Sequence, residues 1–460
     1  MAVSRKRIWG WMAFDWASQP YYTLGLTFIF GPYFASVATT YLQGSGLDAG
    51  TANAQAQSIW STGQVFAGLF IALTAPFLGA FADHSGRKIP WIALFSVIYV
   101  VAAFALWGLL PDSDAVWLYM AIFFVGFVAA ESALNFVNAI LPSLGDENEV
   151  GRISGSGAAF GYWGGVLALV IVLLLLAENG NSGTTLIGRA PLFGLNPDLK
   201  EGTRATGPFI AIWYIIFMIP FFLWVRDTPQ PSPAKVSLRA VARELGQTLK
   251  SVAKRRSLRS FLIASMFYRD AVNAMYAYGG IYAALVLGWE ITQIGVFGVV
   301  AAIAAAITTW AGGLADKKFG PKPVIIAALW ALIAVACVIV GMSREAVFGL
   351  PLDPTSAVPD IIFFVCGAII GGAGGAVYAA SRSLMVRHSH PDRPAEAFGL
   401  FALSGKATAF LAPALIGVAS TLSGNVQIGF SPVLVLFIAG LFLLRWVDKN
   451  GDRAEWSALS

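Results

Sequence analysis

The chain has 460 residues, 57% of them hydrophobic and only 12% charged, with a formal net charge of +5 and a mean hydropathy of +0.70. A water-soluble domain carries about 25% charged residues, so most of this chain must avoid water. Its two cysteines, Cys337 and Cys366, sit in apolar runs, and its three histidines, His84, His388 and His390, have no metal-ligand spacing. A disulfide framework and a metal site are both excluded as organising features, and two free, buried thiols are expected.

A membrane span needs about 20 apolar residues. Twelve such stretches follow in chain order: 9–41, 59–81, 89–110, 115–140, 153–177, 208–225, 260–287, 291–314, 324–342, 359–380, 395–422 and 426–446. The first opens with Ser4-Arg5-Lys6-Arg7 before an apolar run, but Asp15, Gln19 and Pro20 interrupt that run, so a retained span is expected rather than a cleaved leader. Its length and its prolines, Pro20 and Pro32, predict a kinked helix. The turn at Gly288-Trp289-Glu290 separates two full-length runs. With both termini placed inside, the inner segments hold 24 of the 30 Lys and Arg, the outer loops hold 4, and Arg269 and Lys406 fall within spans. That asymmetry predicts cytoplasmic termini and an even number of spans.

The chain divides near its middle. Residues 226–259 carry nine basic and two acidic residues. Pro229, Pro231 and Pro233 open this stretch, and Leu238, Val241, Leu245, Leu249 and Val252 then recur at helical spacing between Arg239, Arg243, Lys250 and Lys254. This reads as a basic amphipathic linker helix suited to an anionic inner leaflet near 235–259. The expected organisation is a six-span bundle over 1–228, the linker over 229–258, and a second six-span bundle over 259–460. Gly79-Ala80-Phe81-Ala82-Asp83 and Gly312-Gly313-Leu314-Ala315-Asp316 hint that the halves are repeats.

Five charged residues stand inside the apolar stretches: Asp15, Glu131, Arg269, Asp270 and Lys406. Each costs on the order of 2.5–3.5 kcal/mol in hydrocarbon, so both signs at depth predict a shared wet cavity. Helical spacing groups them into polar faces: Asp15, Ser18, Gln19 and Tyr22 on span one; Glu131, Asn135 and Asn138 on span four; Arg269, Asn273 and Tyr276 on span seven. Such a site could hold a zwitterion, with Arg269 or Lys406 taking a carboxylate and Asp15 or Glu131 an ammonium. Glu131 is also a candidate proton carrier. The competing expectation is that Asp15 or Asp270 merely neutralises Arg269 or Lys406. Gly157, Gly161, Gly164 and Gly165 on span five form a small-residue face for close helix packing.

Gly79, Asp83, Gly86, Arg87 and Lys88 follow span two in the order G-x-x-x-D-x-x-G-R-K. This resembles the loop 2–3 signature of the major facilitator superfamily, and it fits a conformational latch: Gly79 admits a neighbouring helix, Asp83 pairs with Arg87 or takes a helix N-terminus across the seam, and Gly86 allows the turn. The second copy, Asp316-Lys317-Lys318-Phe319-Gly320, is one residue out of step, so a latch is not expected there. Phe14-Asp15-Trp16-Ala17-Ser18, Arg152-Ile153-Ser154-Gly155, Gly161-Tyr162, Ser381-Arg382-Ser383, Ala395-Glu396-Ala397-Phe398-Gly399-Leu400 and Gly405-Lys406 together resemble the autophagy-related vacuolar amino-acid effluxer family, a branch of that superfamily with bacterial members.

The resemblance implies an all-α integral membrane protein of twelve transmembrane helices in two pseudo-symmetric six-helix bundles, the major facilitator fold. The resemblance implies secondary transport by alternating access and favours export; the buried charges add an amino acid or similar zwitterion as solute and proton coupling, in a bacterial inner membrane. The expected partners are a small-molecule solute, a coupling proton or ion, and the bilayer. No nucleic acid or cofactor is expected, the chain is expected to act as a monomer, and no nucleophile–base pair points to an enzyme. The alternatives are proton-driven efflux of amphipathic cations, which would leave Lys406 a structural counter-ion, and a non-transporting membrane sensor.

Overall fold

The computed structural model describes residues 4–179, 182–227, 238–289, 291–353 and 355–452. Helix α1 (Arg5–Pro20) starts at Ser4, whose hydroxyl accepts the Arg7 amide at 3.3 Å. Pro20 closes it. The chain continues as a π-helical segment, Tyr21–Phe28, breaks at Ile29 (φ −121°, ψ −67°), and resumes as α2 (Phe30–Gly44). The bend expected in the first span is therefore a π segment plus a break. Pro32 sits in the first turn of α2, where a missing N–H leaves no hydrogen bond unmade. The rest of the first half is α3 (Ala49–Ser85), α4 (Ile89–Ala105), α5 (Val116–Asn138), α6 (Glu147–Leu175), the short α7 (Glu201–Arg204) and α8 (Thr206–Trp224).

The linker helix α9 (Leu238–Lys254) forms where the basic amphipathic pattern predicted it. The three linker prolines, and the boundary at 228–229, lie outside the described residues. The second half is α10 (Arg256–Leu287), α11 (Ile291–Phe319), α12 (Pro321–Val340), a two-stranded hairpin of β1 (Ala346–Val347) and β2 (Leu350–Pro351), α13 (Val358–His388), α14 (Pro394–Lys406), α15 (Leu411–Ser423), α16 (Val426–Gly429) and α17 (Pro432–Leu444). Gly288 ends α10 at φ +70°, a left-handed C-cap that glycine takes without strain.

Among the described residues, ten helical stretches are long and apolar enough to cross a membrane, and they coincide with ten of the twelve expected spans. The other two, 9–41 and 260–287, are α1 through α2 and α10. They are helical but stand outside that set: the first is broken into α1 of 16 residues, the π segment and α2 of 15, and α10 carries Arg269, Asp270 and Asn273.

Three expectations need correction. The span ending at 380 is too short: α13 runs on to His388, so Arg382, counted with the inner loops, is fully buried within a helix. The span 395–422 is not continuous: the chain breaks into turns at 407–410, directly after Lys406. Cys337 is exposed on α12, and only Cys366 is buried.

Each half is a bundle. In the first, α1 packs on α6 and α8, and α4 on α5 and α8; in the second, α10 packs on α17 and α13, and α11 and α12 on α13. The halves meet along α3 against α14 and α6 against α11. Glycine makes both seams possible. A Cβ on Gly79 would lie 2.2 Å from the Ala395 carbonyl oxygen, and one on Gly155 would lie 2.5 Å from Gly313 Cα. The span-five glycines pack as expected, but against α1: a Cβ on Gly161 would come within 3.0 Å of the Asp15 carbonyl oxygen. Exposed apolar side chains such as Leu73, Val101, Trp330 and Val435 cover the outside of the bundle, as a lipid-facing surface requires.

Candidate functional site

Glu131 on α5 and Lys406 at the end of α14 form an ion pair across the two halves, with Nζ 3.3 Å from Oε1. Their side chains keep 15% and 21% exposure, so water reaches the pair. Lys406 also lies 5.1 Å from the centre of the Phe127 ring. Tyr22, one turn beyond Gln19, lies beside Glu131. Arg269 on α10 faces the same region. Its guanidinium sits 4.3 Å over the Phe401 ring and donates to the Phe401 carbonyl at 2.8 Å. Gly405 leaves room for it: a Cβ there would fall 2.2 Å from Arg269 Cζ. Among the described residues no carboxylate lies within ion-pair distance of Arg269; Tyr268, Tyr378 and Glu131 act on it from further off.

A second charged group lies beside the first. Arg382 Nη1 is 3.3 Å from Asp15 Oδ2 and 3.3 Å from Asn138 Oδ1; Nε donates to Ser154 Oγ at 3.1 Å and Nη2 to the Ser154 carbonyl at 2.7 Å. The rings of Trp11 and Tyr378 flank the guanidinium at 5.4 and 5.0 Å. Tyr378, partly exposed, feels Arg382 and Asp15 on one side and Glu131 and Arg269 on the other, so it stands between the two groups.

The expected site residues do not all converge. Asp270 is buried elsewhere: its Oδ2 accepts the Ala412 amide at 2.8 Å and caps α15, away from Arg269. Asn273 is exposed, and Gln19 packs its stem against Gly165 on α6. Asn135 is buried one turn after Glu131. Neither Asp15 nor Asp270 neutralises Arg269 or Lys406. Sequence reasoning missed Arg382 and Tyr378 as site residues. The signal was available, since Tyr378 and Arg382 are one turn apart if the helix is carried past 380.

At the face bearing residues 5 and 452, Asp83 Oδ2 accepts the Glu396 amide at 2.8 Å, at the N-terminus of α14, and Lys88 Nζ lies 3.4 Å from Oδ1. Gly86 turns the chain at φ +66°. Lys88 is thus an ion-pair partner of Asp83. The second copy of the motif also reaches a seam. Asp316 is buried against Gly151 of α6, and Lys317 pairs with Glu149 across the halves. Gly151 and Gly155 let α6 approach Asp316 and Gly313 of α11 this closely.

The family model described as "Vacuole effluxer Atg22 like" matches residues 3–457. The chain belongs to that family. The Bacillus subtilis protein named "Uncharacterized MFS-type transporter YxiO" is 23% identical over 446 residues, 96% of this chain and 94% of that one. "Autophagy-related protein 22-1" of Aspergillus niger is 24% identical over 347 residues, 69% of this chain. The match covers about half the length of that fungal relative, 52%. The crystal structure of the human organic anion transporter MFSD10 overlays with a TM-score of 0.67 at 15% identity, covering 96% of this chain and 99% of that one. The proton:xylose symporter XylE gives 0.66 at 12% identity, covering 98% of each chain. This Atg22-like protein is thus an integral membrane transporter with the major facilitator fold, and not an enzyme.

Proposed function

We propose that this Atg22-like transporter moves a small zwitterionic organic solute, most simply an amino acid, by alternating access between its two bundles. The observation that carries this reading is Arg269: a partly exposed residue whose guanidinium has, among the described residues, no carboxylate at ion-pair distance, in the same region as the Glu131–Lys406 pair. A solute carboxylate would take the planar fork of Arg269. Its ammonium would compete with Lys406 for Glu131. Binding then exchanges one set of charge pairs for another at little electrostatic cost, and because the groups come from both bundles, the solute senses their relative position.

Export is favoured by the family's description as an effluxer. The basic face is assigned to the cytoplasm of a bacterial inner membrane by its Lys and Arg excess, and α9 would lie against anionic headgroups there, with Leu249 and Lys250 both exposed. Purified protein in proteoliposomes, offered labelled amino acids, sugars and cationic dyes with and without a pH gradient, tests the reading. Amino-acid flux abolished in Arg269→Ala supports it; flux of dyes alone, indifferent to Arg269→Ala, overturns it.

A further inference from the structure

We infer that Asp15 and Arg382 form the coupling pair of this transporter: the ionised pair holds the basic-face seam shut, and a proton on Asp15 opens it. The inference rests on the alternating-access reading above and adds a proton group separate from the solute group.

Arg382 has no exposure to solvent. It belongs to α13 of the second half, yet its hydrogen bonds all go to the first half, to Asp15 on α1, Asn138 on α5 and Ser154 on α6. A guanidinium stays protonated throughout the physiological range, so the charge balance of this junction depends on its neighbours. Among the described residues, Asp15 is the only carboxylate in that set. Asn138 and Ser154 offer neutral oxygens. The other titratable groups facing Asp15 are Tyr378 on α13 and Tyr162 on α6, while Tyr214 of α8 packs against Phe14 on the neighbouring flank. Tyrosines stay neutral at physiological pH. Asp15 is therefore the one group there whose protonation changes the charge.

Protonating Asp15 leaves a buried cation without a counter-ion, which is strongly unfavourable. The junction is too tight to admit a substitute: a Cβ on Gly157 would lie 3.0 Å from Asp15 Oδ2. The available relief is separation of the halves, which exposes Arg382 to water. Protons and seam closure are then mutually exclusive, and acid shifts the population toward the open seam. The Glu131–Lys406 pair differs, because it is already wet and does not need the seam to part. Arg382 acts in this scheme as a positioning residue.

The test needs no solute. In the full-length chain carrying Cys337→Ala and Cys366→Ala, spin labels at Lys6→Cys and Lys318→Cys report the distance across the basic face, since both positions are exposed and lie in different halves. Going from about pH 8 to about pH 5 should increase the long-distance population several-fold. Asp15→Asn should give the long distance at both pH values. Asn138→Asp, which supplies a second carboxylate to Arg382, should hold the seam closed to lower pH. An Asp15→Asn protein with the parent's distances and pH response overturns the inference, as does an Asn138→Asp response identical to the parent's. Failure of the solute reading shows separately, as Arg269-independent flux.

Discussion

At the scale of single residues, the chain spends its buried charges in two different ways. Asp83, Asp227 and Asp270 each accept amides at a helix N-terminus: those of α14, α4 and α15 respectively. A carboxylate there is stabilised by backbone donors and the helix dipole, and at Asp83 by Lys88 as well. This is why Asp270 leaves its sequence neighbour Arg269 alone. Asp270→Ala should cost about 0.5–2 kcal/mol, the usual worth of a lost cap, read as a lower melting temperature with solute affinity retained. Glu131 and Lys406, by contrast, pair with each other in reach of water. Glu131→Gln and Lys406→Met should each reduce flux at least tenfold. The double variant should recover much of any lost thermal stability but none of the flux, because it removes a charge mismatch without restoring a solute ligand.

At the scale of elements, the breaks matter more than the helices. The first span carries a π segment next to Tyr22, and the broken α14–α15 element stops right after Lys406. Discontinuous helices beside a binding site are a recurring device of secondary transporters. The proline signal gave the first break. The second carries one too, which the continuous span expected over 395–422 passed over: Pro413, in the first turn of α15, has no N–H to give the Ala409 carbonyl, and Asp270 takes the Ala412 amide beside it. The seams depend on missing side chains. Gly399 approaches Ala75, where a Cβ would lie 2.5 Å from the carbonyl oxygen. Gly399→Val should prevent closure of the α3–α14 seam. Labels at Lys6→Cys and Lys318→Cys, in the cysteine-free background, should then report a long distance insensitive to pH, with the protein still folded by circular dichroism.

At the scale of the whole molecule, the two seams are pseudo-symmetric: Asp83 sits at the α3–α14 junction and Asp316 at the α6–α11 junction. In this structure the Asp83 contact ties α3 to α14 across the seam, the contact a latch would use. Asp83→Asn should slow conformational exchange while leaving equilibrium affinity within a few-fold, measured by comparing binding with exchange rates; a large loss of affinity would count against a latch. The sequence by itself determined the membrane setting, ten apolar spans, the latch motif and the family. Those are local properties: hydrophobic length, the 3.6-residue period and short spaced motifs survive without knowing what packs on what. It also named Asp15, Glu131, Arg269 and Lys406, because charge in an apolar run is costly wherever it points. Only the tertiary structure decided the partners. Glu131 meets Lys406 across 275 positions and Asp15 meets Arg382 across 367. Pairing at such separations is set by how two bundles dock through their glycine seams, and no periodicity within one helix encodes it.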